Sequence, residues 1–81
     1  FILSGMCPDF VHLKSRKIVE MYGERWHLPQ EELERIKLFA RSDYQTLIIW
    51  SKELAPKSRE KLYKRLLDFE ALPDIVRSTS F

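Results

Sequence analysis

Two acidic residues, Asp9 and Glu20, lie inside apolar segments near the beginning of the chain. An ionised carboxylate in an apolar setting is costly unless a partner or a ligand compensates it. If the residues between them form a hairpin, both carboxylates reach one face of a sheet, where repulsion raises one pKa unless a cation lies between them. Mg²⁺ binds through one or two carboxylates plus water, so the pair predicts a metal site. The alternative is that one carboxylate faces solvent or pairs with a nearby cation, namely Lys14, Arg16 or Lys17.

A histidine follows at the point where the second apolar segment ends. His27 lies four residues after Gly23, and an imidazole there can reach over the same end of the sheet to transfer a proton or stabilise charge. Glu32 comes early in the next segment, where a carboxylate can orient the histidine or a metal-bound water. The alternatives are a loop histidine without a chemical role and a solvated Glu32 charge. Trp26 has two equal interpretations, a core aromatic or a residue that stacks on a nucleic-acid base.

The hydrophobic pattern predicts a hairpin that would position the two carboxylates. Residues 9–13 and 17–22 alternate in polarity around a polar turn, which is typical of two antiparallel strands. In the second strand Ile18, Glu20 and Tyr22 share one face, because side chains alternate along a strand. Residues 1–3 predict a further short strand, ended by a turn at Ser4 and Gly5.

From residue 30 the spacing of the hydrophobic residues changes from that of a strand to that of a helix. Residues 30–42 have amphipathic helical spacing, with Pro29 suited to the helix start and Asp43 expected to end it in a left-handed conformation. Residues 46–50, "TLIIW", predict a strand covered on both faces and paired in parallel with the second hairpin strand. A second amphipathic helix is predicted after Pro56. The predicted fold class is therefore α/β, a small mixed β-sheet flanked by helices.

Composition limits the classes of protein that the chain can belong to. Its 81 residues are 44% hydrophobic and 32% charged, typical of one small folded domain, and the net charge of +2 is too small to establish a nucleic-acid partner. No apolar run approaches the length of a membrane span and no secretory signal is recognisable, so a cytoplasmic location is predicted. The single cysteine, Cys7, excludes a disulfide framework and is expected to be a small buried hydrophobe.

Three motifs in order resemble a known group of nucleases. "PDF", "RKIVEMYGERWH" and, after a helix, "YQTLIIWSKEL" are similar to the core of the very short patch repair endonucleases and of the related phage and intron homing endonucleases of the EDxHD type. Both groups belong to the PD-(D/E)xK nuclease superfamily. The resemblance extends from about Gly5 to Leu54, and it implies a restriction-endonuclease-like core.

The resemblance also implies roles for particular residues. Asp9 matches the metal-binding aspartate, His27 the active-site histidine and Trp26 the tryptophan before it. Glu32 falls where the family has a later acidic residue, but here that residue is a glutamate. Glu20 matches the glutamate of the wider superfamily, which the repair enzymes do not keep. Tyr22 stands where the superfamily has its lysine.

The function implied by the resemblance is metal-dependent hydrolysis of DNA phosphodiester bonds. The expected catalytic residues are Asp9, His27, Glu32 and Glu20, with Asp9 and Glu20 binding Mg²⁺ or Mn²⁺. The expected partner is double-stranded DNA, contacted by Lys14, Arg16, Lys17, Arg25 and Trp26, with a homodimer left open. In the family the first acidic residue lies on a helix before the first strand, so the chain is expected to be a fragment of a single nuclease-core domain without that helix. The alternative function is an inactive DNA-binding or protein-binding domain of the same fold. With either function, the predicted location is the host cytoplasm if the protein is phage-encoded.

Overall fold

The computed structural model describes residues 2–3 and 5–73, which form a small mixed α/β unit. Along the described chain lie β1 (Phe10–His12), β2 (Lys17–Tyr22), α1 (Pro29–Ala40), β3 (Gln45–Trp50), two 3-10 helices (Ser51–Leu54 and Pro56–Ser58) and α2 (Arg59–Ala71). The predicted small mixed sheet with flanking helices is confirmed. The strand predicted over residues 9–13 is shorter than expected, because Asp9 lies in a bend before it and Leu13 already belongs to the turn.

β2 is the central strand of the sheet, whose order is β1-β2-β3. β1 pairs with β2 in the antiparallel sense, with Val11 opposite Ile18. β3 pairs with β2 in parallel along its whole length, which ends with Trp50 opposite Tyr22. Parallel pairing requires a crossover between the two strands, and α1 supplies it. The predicted hairpin and the predicted parallel pair are both confirmed, and the carboxyl ends of β2 and β3 lie at the same end of the sheet.

α1 begins and ends with residues suited to those positions. Pro29 occupies the first turn, where its missing N–H costs no helical hydrogen bond. The helix ends at Ala40, two residues before the predicted end, and Asp43 then adopts φ +65°. The left-handed conformation predicted for Asp43 is therefore confirmed, and it turns the chain back toward β3.

The core lies between α1 and the sheet. Ile18, Phe39 and Ile48 are the largest side chains that are fully buried, and Ile18 and Phe39 belong to one cluster. The opposite face of β2 contacts α2, because Lys17 donates hydrogen bonds to the carbonyl oxygens of Glu70 and Leu72. Helices on both faces explain why β3 is apolar without alternation.

α2 forms where it was predicted, although it packs loosely. None of its residues is buried, and Tyr63 is 63% exposed. Among the described residues, neither helix combines the length and the apolar character needed to cross a membrane.

The amino-terminal segment differs from expectation. Cys7 was predicted to be buried, but it is exposed. The described residues before it, 2–3 and 5–6, form an isolated bridge between Leu3 and Met6, with Gly5 at φ +77°, and add no strand to the three-stranded sheet that would cover Cys7. Phe1 of the predicted first strand and Ser4 of the predicted turn lie outside the described residues.

Candidate functional site

The two predicted carboxylates meet at the carboxyl end of β2. The Asp9 backbone N–H donates to Glu20 Oε1 at 3.3 Å, and Asp9 Oδ2 accepts the backbone N–H of Met21 at 2.8 Å. The hairpin causes this arrangement, because Phe10 lies opposite Val19 and so places Asp9 beside Glu20. The structure therefore brings together the pair that the sequence pattern predicted.

Glu20 is almost fully buried, and its partner is an arginine of α1. Its side chain is 5% exposed, and Oε2 accepts a hydrogen bond from Arg35 at 2.7 Å. Burial raises the pKa of Glu20 above its usual value of 4.5, with Arg35 acting in the opposite direction and the neighbouring Asp9 adding to the rise. Of the two alternatives drawn from the sequence, pairing with Lys14, Arg16 or Lys17 is wrong for Glu20. The other alternative, that one carboxylate faces solvent, holds for Asp9, which is exposed. The ion pair with Arg35 forms only when α1 packs on the sheet.

His27 lies over the same end of the sheet. Its ring stacks on Tyr22 with centroids 3.8 Å apart and planes 10° from parallel. His27 Nδ1 lies 2.8 Å from Glu31 Oε2. An ionised carboxylate can only accept, so Nδ1 carries the hydrogen in this contact. The other ring nitrogen, Nε2, is then the one with a lone pair available for proton transfer.

The carboxylate that orients His27 is Glu31, and the prediction that Glu32 orients it is wrong. Glu32 Oε1 instead accepts the indole N–H of Trp50 at 2.9 Å. Glu31 is the third residue of α1, and from that position a glutamate commonly reaches back toward the residues before the helix. The position of Glu31, two residues after Pro29 at the helix start, was the sequence feature that could have indicated its contact with His27.

Tyr22 is the buried aromatic residue that packs against His27. It is 2% exposed, stacks on His27 and meets Trp50 edge to face with centroids 5.3 Å apart. Burial raises the pKa of the Tyr22 phenol above 10.0. Its buried hydroxyl finds no hydrogen-bond partner among the described residues. Buried unsatisfied polar groups are rare in folded proteins, and two others among the described residues, Gln45 Oε1 and Thr46 Oγ1, lie at the opposite end of the sheet.

Some of the residues predicted to contact DNA are exposed, and the others use their charge in contacts within the protein. Lys14, Arg25 and Trp26 are exposed, and Trp26, at 77% exposure, is not the core aromatic of the first interpretation. Arg16 is half-buried, donates to the Ser42 carbonyl and lies over the Tyr44 ring.

Lys17 is the exception among these cations. It is 9% exposed, and its ammonium group is 2.7 Å from the Glu70 carbonyl oxygen and 2.8 Å from that of Leu72. The phosphate contact predicted for Lys17 is therefore wrong, because the charge is used to hold the end of α2 on the sheet.

The carboxylates at this end of the sheet fit a hard divalent cation in number and type. Asp9 has one oxygen, Oδ1, outside the hydrogen bond to Met21. Among the described residues, Glu20 Oε1 receives one hydrogen bond, the 3.3 Å contact from the Asp9 N–H. Two carboxylates plus water are a normal set for Mg²⁺. Within residues 2–3 and 5–73, no group of three or more His, Cys, Asp and Glu side chains is placed to hold a metal ion.

No protein-family model matches the chain, and comparison with curated proteins and with solved structures gives no match either.

Proposed function

We propose that this protein is a metal-dependent DNA endonuclease with a restriction-endonuclease-like core, which hydrolyses phosphodiester bonds with Mg²⁺ or Mn²⁺. The single observation that supports it best is the convergence of Asp9, Glu20 and His27 at the carboxyl end of β2. Asp9 and His27 also carry the resemblance to the very short patch repair and EDxHD homing endonucleases, and Glu20 matches the glutamate of the wider superfamily. Double-stranded DNA is the proposed substrate.

Each residue has a definite task in this proposal. Asp9 and Glu20 would hold the cation, and the Met21 N–H keeps the Asp9 carboxylate turned toward the sheet end. A cation held there would supply the lowered pKa of a bound water and would offset charge on the phosphate. His27 accepts or returns a proton through Nε2, because Glu31 fixes the hydrogen on Nδ1. Tyr22 holds the imidazole plane by stacking.

Cleavage of supercoiled plasmid tests the proposal. The intact protein is incubated with plasmid and Mg²⁺, Mn²⁺ or EDTA, and nicked and linear products are quantified. Asp9→Ala is expected to abolish metal-dependent cleavage, because it removes one of the two ligands. Asp68→Ala is a matched control, since Asp68 is an exposed carboxylate on α2, away from the site. Cleavage that survives in Asp9→Ala contradicts the proposed metal site.

The second candidate function is a non-catalytic DNA-binding or protein-binding domain. The Glu20–Arg35 ion pair favours it, because an arginine bound to one of the two carboxylates competes with a cation. This candidate predicts that neither Mg²⁺ nor Mn²⁺ raises the melting temperature and that no plasmid is cut with either ion. The endonuclease predicts stabilisation by the ion in the intact protein and none in Asp9→Ala, since ligands that bind only the folded state stabilise it.

A further inference from the structure

A groove lined by cations runs along the amino-terminal half of α2. It has a volume of about 520 Å³, and its lining includes Lys52, Lys57, Lys61 and Arg65. The three lysines are exposed. Of the residues that line it, Glu53 is the one carboxylate, and its charge is offset by an ion pair with Arg65. Lys52 lies near the charges of Glu53 and Glu24. Within the described part of the lining, the ammonium groups of Lys57 and Lys61 have no further acidic residue to balance them.

The charge of the whole chain is concentrated in this region. Residues 51–65 hold six of the 14 Lys and Arg residues and two of the 12 Asp and Glu residues, which makes this stretch +4 and the remainder −2. The net charge of +2 conceals this asymmetry. A basic patch on an otherwise weakly acidic surface is the electrostatic signature of a polyanion site.

The groove begins at the same end of the sheet as the candidate site. β3 leads directly into the 3-10 helix Ser51–Leu54 at that end. Glu24, in the loop between β2 and His27, accepts the Lys52 backbone N–H at 3.0 Å and the Ser51 hydroxyl. The Arg65 guanidinium reaches the Ile48 carbonyl at 3.1 Å and so fixes α2 against β3. These contacts join the groove to the loop that carries His27.

We infer that this groove binds the sugar-phosphate backbone of double-stranded DNA beside the bond to be cut. The choice of DNA as the occupant rests on the proposed function. Lysine ammonium groups contact phosphates without reading sequence, and the positive end of α2 adds to their attraction. Ser58, at the N-cap of α2, makes no side-chain capping bond with the described residues, and we expect its hydroxyl to donate to a phosphate oxygen. Leu62 is the one apolar residue in the lining, which disfavours insertion into a lipid surface.

Anisotropy of a fluorescein-labelled DNA duplex, measured in EDTA over a range of NaCl concentrations, tests the inference without requiring cleavage. The double variant Lys57→Gln with Lys61→Gln removes two lining charges. The matched control, Lys37→Gln with Arg41→Gln, removes two exposed charges at the carboxyl end of α1, one from the helix and one from its C-cap. The groove variant is expected to bind about tenfold more weakly and to reduce the slope of log affinity against log salt by about 2, since each phosphate contact releases about one counterion. The control should keep the slope of the parent protein.

The inference is overturned if the parent protein does not bind the duplex, or if the groove variant keeps the parent's slope of log affinity against log salt. It is also overturned if the control loses as much affinity as the groove variant, because the loss would then reflect only the change in net charge. Binding to anionic phospholipid vesicles through Lys57 and Lys61, with no binding to DNA, would also overturn it. The proposed function fails separately. DNA binding through the groove without plasmid cleavage would support the groove as a DNA site and contradict the endonuclease function. Plasmid cleavage that is unchanged in the Lys57→Gln, Lys61→Gln variant would support the endonuclease function and contradict the groove as a DNA site.

Discussion

Replacing Arg35 with methionine should destabilise the protein mainly by leaving Glu20 buried and unpaired. Glu20 is 5% exposed and accepts from Arg35 at 2.7 Å, while the arginine side chain itself is 21% exposed. Removing one partner of a buried pair costs about 3 to 5 kcal/mol, and the partial exposure of Arg35 places the expected loss near 3 kcal/mol at pH 7. Domains of this size lose roughly 4 to 8 °C of melting temperature for each kcal/mol.

The loss should depend on pH in a definite direction. Burial raises the folded-state pKa of Glu20 above 4.5, and Arg35 opposes that rise. A carboxyl with a raised folded-state pKa destabilises the fold as pH increases from the unfolded value through the folded value. Without Arg35 the folded-state pKa moves further up. The cost of Arg35→Met should therefore be small near pH 4.5, where Glu20 takes up a proton, and should grow toward neutral pH.

Urea unfolding followed by tryptophan fluorescence at several pH values measures this cost. The double variant Glu20→Gln with Arg35→Met is the control, because a neutral amide in place of the carboxylate removes the buried charge. It should be more stable than Arg35→Met at pH 7 and no more stable at pH 4.5. The reasoning is refuted if Arg35→Met loses the same free energy at both pH values, or if the double variant is no more stable than the single one at pH 7. A pH-independent remainder is expected from lost contacts of Arg35 with the rings of Tyr22 and Phe39.

The remaining predictions concern the histidine and the exposed tryptophan. Glu31→Gln should lower the rate of plasmid cleavage and shift its pH profile, because the amide no longer fixes the hydrogen of the His27 ring. Glu32→Gln is the control and should leave the pH profile unchanged. Equal pH profiles for the two variants would contradict the role of Glu31. Trp26→Ala should leave the unfolding free energy within about 0.5 kcal/mol of the parent, since the ring is 77% exposed. The same change should weaken binding of DNA by about 1 to 3 kcal/mol if the ring stacks on a base, and unchanged affinity in the anisotropy assay would remove Trp26 from the DNA contacts.

The Glu20–Arg35 pair also couples stability to the proposed metal site. In the absence of a cation, Arg35 supplies the positive charge that Glu20 requires. A divalent ion held by Asp9 and Glu20 would take over part of this task, so the two positive charges compete for one carboxylate. A measurable consequence is that Mg²⁺ should stabilise Arg35→Met by more than it stabilises the parent protein.

Local pattern was sufficient to predict the elements that position the site. The alternation in residues 17–22 placed Ile18, Glu20 and Tyr22 on one face, and the hairpin turn then placed Asp9 beside Glu20. Asp43 was recognisable as a helix terminus because few residues other than glycine tolerate positive φ. These features depend on residues close together in sequence, whose geometry the backbone dictates.

Contacts between distant elements could be decided only by the tertiary structure. Periodicity indicates that α1 covers the sheet, but the rotation of the helix determines that Arg35 faces Glu20, that Glu31 faces His27 and that Glu32 faces Trp50. From the sequence, Lys17 is likewise interpreted as a solvated cation of the hairpin. In the folded protein its ammonium group donates hydrogen bonds to the carbonyl oxygens of Glu70 and Leu72 at the end of α2. Charged side chains are long and their partners are set by packing, so their pairing follows from the assembled fold and not from spacing along the chain.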